Sequence, residues 1–395
     1  MKDARPEDPG HSSNAAPSDD PAKAPEHGAR GLGAPGPTLN TQESITADSK
    51  SAHLPSVDPE PTRLRSTVLD WSDALTALAL IGVPLWMLLG NSAVLGGHPA
   101  LPVLLGAAVT LGLFWLFRLV RRSTLIERWG LNKHRNLARH QRPQGRVSPW
   151  RLLRGFVGRI VVLGLVAGLA WLNPFTYQPG GAAGQAMGTT GSTNTTTTED
   201  ATTITLTPEG KARAGLVFYP GARVDARAYQ DILRPLANAG YLVVILKVPL
   251  GISLLSTGQS RGAMDRHPEI TSWAVGGHSL GGVSASAFAK SNPEVSGLLL
   301  FASYPADSMA ASGDLSVLSI SGSNDGLTTP DKIAESKPLL PSAAIYATVE
   351  GGVHAFFGDY GDQPGDGVPG ISREQAQQQI AAESVRFMDR LVSTG

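Results

Sequence analysis

Apolar and polar positions divide the chain into stretches of different rhythm. Residues 1–65 are dominated by Pro, Ala, Gly, Ser, Asp and His, with almost no aromatic or β-branched clusters. Such a segment cannot bury enough apolar surface to offset its ordering entropy, which predicts a disordered tail. Residues 66–175 carry three nearly uncharged apolar runs, at 74–90, 99–117 and 160–172. A bilayer span needs about 20 helical residues at a rise of about 1.5 Å each. The first two runs reach that length with their flanks. The third does so if residues 156–159 are included, with Arg159 snorkelling toward the headgroups. None has the polar face of a helix at the surface of a soluble domain. Trp71, Trp86, Trp115, Trp150 and Trp171 lie in or near these runs, and those at the ends suit an interfacial belt.

Beyond a Gly- and Thr-rich stretch at 176–200, which reads as a flexible spacer, the rhythm changes again. Short apolar runs predict strands at 202–206, 214–219, 241–247, 272–275, 295–302, 315–321 and 343–349. Helices are predicted at 228–239, 281–290 and 374–392. Strands alternating with helices argue for an α/β domain over 201–395, built on a mostly parallel sheet flanked by helices.

Charge orients the membrane region. Between the second run and the extended third one, over 118–155, the chain carries eleven Lys and Arg against Glu127 alone, whereas the loop between the first two runs has none. The positive-inside rule places the tail and the basic loop in the cytoplasm. Three spans then put the α/β domain on the extracytoplasmic side of a multi-pass cell-membrane protein. The basic loop suits anionic lipid better than nucleic acid, given its position between two spans. The whole chain has 33 basic and 33 acidic residues, so no net charge favours nucleic acid. With no cysteine, disulfides, thiol catalysis and Cys-ligated metals are excluded.

The candidate chemistry lies in Gly277-His278-Ser279-Leu280-Gly281, a G-x-S-x-G turn between an apolar strand and a helix of small residues. The glycines have a steric reason: a Cβ two residues before or after the serine would meet the neighbouring strand or helix. Gly258-Gln259-Ser260-Arg261-Gly262 matches the same pattern. No apolar strand leads into it, and the stretch 263–268 after it is too short and polar for a packed helix, so Ser279 is the candidate nucleophile. A serine hydroxyl needs a base. The order expected for this fold is nucleophile, acid, histidine, and His354 is the only histidine after Ser279. The acid must lie between them, and Asp325 in Gly322-Ser323-Asn324-Asp325-Gly326 follows a predicted strand. The oxyanion needs two donors. One is the Leu280 amide. The other comes from the loop after 214–219, where Pro220 has no N–H, leaving Ala222 or Gly221.

These runs, with Phe218-Tyr219-Pro220-Gly221-Ala222 and His354-Ala355-Phe356-Phe357-Gly358-Asp359-Tyr360-Gly361, resemble the α/β-hydrolase superfamily. More narrowly, they resemble its small bacterial fold-5 group with dienelactone-hydrolase-like members. The resemblance covers about 202–392. It implies a carboxylic-ester hydrolase with Ser279, Asp325 and His354 as its triad. The loop reads Tyr219-Pro220-Gly221 where many members have His-Gly, so the second oxyanion donor stays open between Ala222 and Gly221. The expected substrate is a small-molecule or lipid-like ester or thioester, and neither cofactor nor metal is required. The same triad would serve a peptidase or an envelope acyltransferase, and the scaffold alone would serve a tethered binding module. The stretch 303–314 is too short for a large cap domain. The carboxylates of 358–367 lack the spacing of an EF-hand, which favours a structural loop.

Overall fold

The computed structural model describes residues 61–128, 149–179 and 195–394. Nearly all of the expected tail, the middle of the Arg-rich loop and most of the spacer lie outside these residues. Four helices come first: α1 (Pro61–Gly90), the short α2 (Ser92–Gly96), α3 (Ala100–Arg128) and α4 (Pro149–Trp171). The apolar stretches Trp71–Gly90, Ala100–Arg121 and Leu153–Trp171 are each long enough to cross a membrane, at 20, 22 and 19 residues. α1 and α3 approach closely at Gly112, where a Cβ would press on Ile81 Cγ1 at 2.7 Å and on the Ala77 carbonyl at 3.0 Å.

Arg159 has a partner on a neighbouring helix. Its Nε donates to Asp73 Oδ1 of α1 at 2.7 Å, and both side chains are largely covered. Either charge alone would be costly in an apolar layer, and pairing the two relieves that cost.

The rest of the chain is built on eight strands. These are β1 (Thr196–Glu199), β2 (Thr203–Thr207), β3 (Gly215–Tyr219), β4 (Leu242–Leu246), β5 (Trp273–His278), β6 (Val295–Phe301), β7 (Ser316–Gly322) and β8 (Ile345–Val349). They form one sheet in the order β1-β2-β4-β3-β5-β6-β7-β8. β2 runs antiparallel to both of its neighbours, and the strands from β4 to β8 in that order run parallel. The sheet is the mostly parallel one expected, and strands β2–β8 fall on the seven predicted runs. β1 is an addition. Its four residues are all exposed, so no apolar pattern marked the Thr-rich run as anything but spacer.

Five further helices cover the sheet: α5 (Gln230–Asn238), α6 (Gln259–Asp265), α7 (Leu280–Ser291), α8 (Pro330–Ser336) and α9 (Arg373–Thr394). Side chains alternate across each strand. Leu216, Phe218, Val243, Ile245 and Phe301 face α5 and α9. Val217, Tyr219, Val244, Val275 and Leu300 face α6 and α7. Strands covered on both faces read as unbroken apolar runs, which is why they were legible. α6 corrects the sequence reading, which expected no packed helix there: Ala263 and Met264 bury against the second cluster.

The helical region joins the sheet at one edge. The Asn91 side chain, just after α1, donates to Asn173 Oδ1 at 2.9 Å and to the Pro174 carbonyl at 2.8 Å, just after α4. Phe175 then bridges to Val224, in the loop that follows β3. The end of α1, the start of α3 and the end of α4 therefore gather beside the carboxyl ends of the strands.

Gly112→Leu is expected to separate α1 from α3 and to cost about 1–3 kcal/mol. Gly106→Leu, at a position with open space around its Cα, should be close to neutral. Thermal unfolding of the two variants in the same detergent checks the contrast.

Candidate active site

β5 is buried along its whole length and ends in a sharp turn. Ser279 sits at that turn with φ 53° and ψ −122°, a conformation that L-residues rarely adopt. Two close approaches hold it. A Cβ on Gly277 would overlap the Gly281 backbone, and a Cβ on Gly281 would overlap the Tyr219 carbonyl. The Ser279 amide donates to the Phe301 carbonyl at 3.0 Å, and Ser303 Oγ donates to the Ser279 carbonyl at 2.7 Å. α7 starts at Leu280, so the Leu280 amide has no acceptor inside the helix. Ser260 has a different setting: it is fully buried within the first turn of α6, away from any strand-to-helix turn.

Asp325 follows β7 and His354 follows β8, and both are almost completely buried. His354 Nδ1 donates to Asp325 Oδ2 at 2.8 Å. The other carboxylate oxygen accepts from the amides of Leu327 at 2.8 Å and Thr328 at 2.6 Å. With Nδ1 protonated by this bond, Nε2 is the basic nitrogen of His354. The Gly-rich loop after His354 braces the arrangement. Asp366 accepts from the amides of Gly326, His354, Ala355 and Gly367 at 2.8–3.2 Å. One carboxylate thus ties the turn bearing Asp325 to the turn bearing His354.

The loop after β3 is held by groups that no motif announced. The Gly221 amide donates to Tyr229 Oη at 2.9 Å, and Tyr229 Oη lies 2.9 Å from His278 Nδ1. Burial pushes the Tyr229 phenol far up. Burial, and then the neighbouring His354, push His278 well below its ordinary value. Both groups are therefore neutral, and the tyrosine hydroxyl donates to the imidazole. Gly221 has spent its N–H on Tyr229. Among the described residues the Ala222 amide has no acceptor, while the Arg223 amide donates to the Gly251 carbonyl at 2.7 Å. His278 also lies against His354, the two ring centroids 4.6 Å apart. The sequence carried His278 only as the variable position of the motif, and Tyr229 only as an aromatic in a predicted helix.

Tyr229→Phe leaves the Gly221 amide and His278 Nδ1 buried without partners. It is expected to cost about 1–3 kcal/mol in denaturant unfolding, because an orphaned buried polar group loses its hydration without replacement. His278 also makes stability depend on pH. Its folded form stays neutral while the unfolded histidine takes up a proton below about pH 6.5. Stability from this group is present above that pH and falls by roughly 1.4 kcal/mol per unit as pH drops toward the depressed folded value. Unfolding midpoints of the parent and of His278→Gln between pH 7 and pH 5 check this; the variant should show the shallower slope.

Solved structures with a similar fold include a predicted CIB-like hydrolase from Thermoplasma acidophilum, 15% identical, with a TM-score of 0.39. That match covers 50% of this chain and 100% of the other. The esterase domain of a Rhodothermus marinus protein is 14% identical with a TM-score of 0.38, covering 50% of this chain and 98% of that one. No curated protein matches the sequence. Residues 215–379 match the alpha/beta hydrolase family. That interval runs from β3 into α9 and includes the Ser279 turn, Asp325 and His354. The domain built on this parallel sheet, with its strand–turn–helix serine, has the alpha/beta hydrolase fold, and most of it matches that family.

Proposed function

We propose that the chain is a membrane-anchored serine hydrolase that cleaves a carboxylic ester or thioester, with its catalytic domain on the outer side of the cell membrane. The observation that carries this reading is the buried His354–Asp325 hydrogen bond, its imidazole 4.6 Å ring to ring from His278, the residue before a serine held at positive φ. In this reading His354 Nε2 takes the Ser279 proton as Oγ attacks the carbonyl carbon. The carbonyl electrons move onto oxygen, and the amides of Leu280 and Ala222 donate hydrogen bonds to the oxyanion that results. The tetrahedral intermediate collapses, the bond to the alcohol or thiol breaks, and His354 returns the proton to that leaving group. Water then enters by the same path and releases the acid, regenerating Ser279. Asp325 holds the imidazole tautomer and stabilises the imidazolium.

The topology is supported by the helical ends. α1 finishes, α3 starts and α4 finishes beside the catalytic domain, while Arg118 and Arg121 lie at the far end of α3.

Labelling the detergent-solubilised full chain with a fluorophosphonate, then mapping the labelled peptides, should place the label on Ser279. Ser279→Ala should abolish both labelling and ester turnover. Asp325→Asn should lower kcat by about 10⁴, and Ser260→Ala should retain turnover. Label on Ser260, or full turnover by Ser279→Ala, would remove the mechanism.

A further inference from the structure

Granted the serine-hydrolase reading on which this depends, we infer that Ser279 is supplied from the membrane surface. Its substrate is an ester-bearing amphiphile resident in the leaflet beside the catalytic domain.

The first observation is where the helical region touches the domain. Phe175 donates its amide to the Arg223 carbonyl at 2.7 Å and accepts from the Asp225 amide at 3.0 Å. The Arg223 guanidinium lies over the rings of Trp171, 4.5 Å from its centroid, and Phe175, at 5.1 Å, and it donates to the Trp171 carbonyl. Arg223 is the residue after Ala222, the proposed oxyanion donor. Trp171 ends the third apolar stretch, so only three residues lie between that end and Phe175, a reach of at most about 14 Å. The oxyanion loop is thereby fastened to the end of a membrane-length helix.

The second observation concerns the loop after β4. Leu250 packs into the cluster of Met87, Val94, Leu101 and Leu105 on the helical region. It does so at φ 55°, a conformation that costs a non-glycine residue energy and persists only where packing holds it. Three residues later, Ser253 Oγ bonds to Ser284 Oγ of α7 at 2.8 Å and to the Leu280 carbonyl at 3.3 Å. One short segment thus reaches from among the ends of the membrane-length helices to the start of the nucleophile helix.

The third observation decides the substrate class. Between residues 195 and 394 only four large apolar side chains are exposed: Leu254, Leu255, Ile345 and Val368. Three of the four stand at the carboxyl edge of the sheet. Leu254 and Leu255 flank the Ser253 contact to α7, and the carbonyl of Val368 accepts from Asn324, the neighbour of Asp325. A water-soluble substrate gives no reason to line this rim with bare leucine and valine. An acyl chain leaving a bilayer does, because each such contact removes apolar surface from water. Leu254 and Leu255, the fastened oxyanion loop and Leu250 all belong to the loops after β3 and β4, the loops that meet the ends of the apolar helices.

The test uses the full chain reconstituted in phosphatidylcholine vesicles. Two probes are compared: 4-methylumbelliferyl oleate dissolved in the vesicles, and water-soluble p-nitrophenyl acetate. The parent is expected to turn over both. In Leu254→Asp/Leu255→Asp the ratio of oleate to acetate rates should fall by about tenfold or more. Ile345→Asp, at the opposite end of the sheet, should leave the ratio unchanged. Turnover of acetate without turnover of the vesicle-held oleate by the parent overturns the substrate class and leaves the hydrolase reading standing. An unchanged ratio in the double variant overturns delivery across this rim. Turnover of neither probe by the parent removes the hydrolase reading, and the substrate class with it. Comparison of the two probes on the parent decides the matter even if the double variant fails to fold.

Discussion

The contact between glycine backbones around Ser279 is the constraint on which the rest of the domain depends. A non-glycine residue at φ 53° costs roughly 1–3 kcal/mol, and such strain persists only where its surroundings over-determine it. Here Gly277 lies against the first turn of α7, and Gly281 lies against the Tyr219 carbonyl at the end of β3. β3, β5 and α7 can meet only with the serine at the apex. The parallel pairing of β3 with β5 and of β5 with β6 sets the level of that apex. The Phe301 carbonyl at the end of β6 accepts its amide.

Around that apex two imidazoles are given opposite tasks by their partners. His354 faces a carboxylate that two backbone amides hold in place, so positive charge on its ring has a counter-ion ready. His278, one ring away, faces a tyrosine hydroxyl and is held neutral by burial. A charged His278 would repel the imidazolium that the proposed mechanism forms on His354. The same Tyr229 hydroxyl that satisfies His278 also takes the Gly221 amide, which orients the loop carrying Ala222. Electrostatic and backbone order at the site therefore share one hydroxyl group.

The helical region forms part of this same edge of the domain. The loop after β3 is paired with the chain leaving α4, and the loop after β4 is wedged among the helix ends. Arg223 and Leu250 both hold positive φ at this junction, so strain is stored on the side of the site nearest the apolar helices as well as at Ser279.

The sequence alone determined what local pattern can express. Unbroken apolar runs announced the buried strands, because cover on both faces removes the polar alternation. The uncharged runs announced three helices of membrane length. The glycine spacing announced the Ser279 turn, and chain order with a single downstream histidine singled out His354. Other features had no local signature. β1 is an exposed Thr-rich edge strand that only pairing with β2 makes a strand. α6 owes its place to Ala263 and Met264 meeting the sheet, against a polar local sequence. Tyr229 and His278 are 49 residues apart and meet only in the folded domain. Gly221 could be separated from Ala222 only once the fold showed which amide was already spent. Arg159 could be assigned a partner only once α1 and α4 lay side by side. Strands, spans and turns are local properties of backbone and hydropathy, whereas hydrogen-bond partners and shared edges are set by which distant segments the tertiary structure brings into contact.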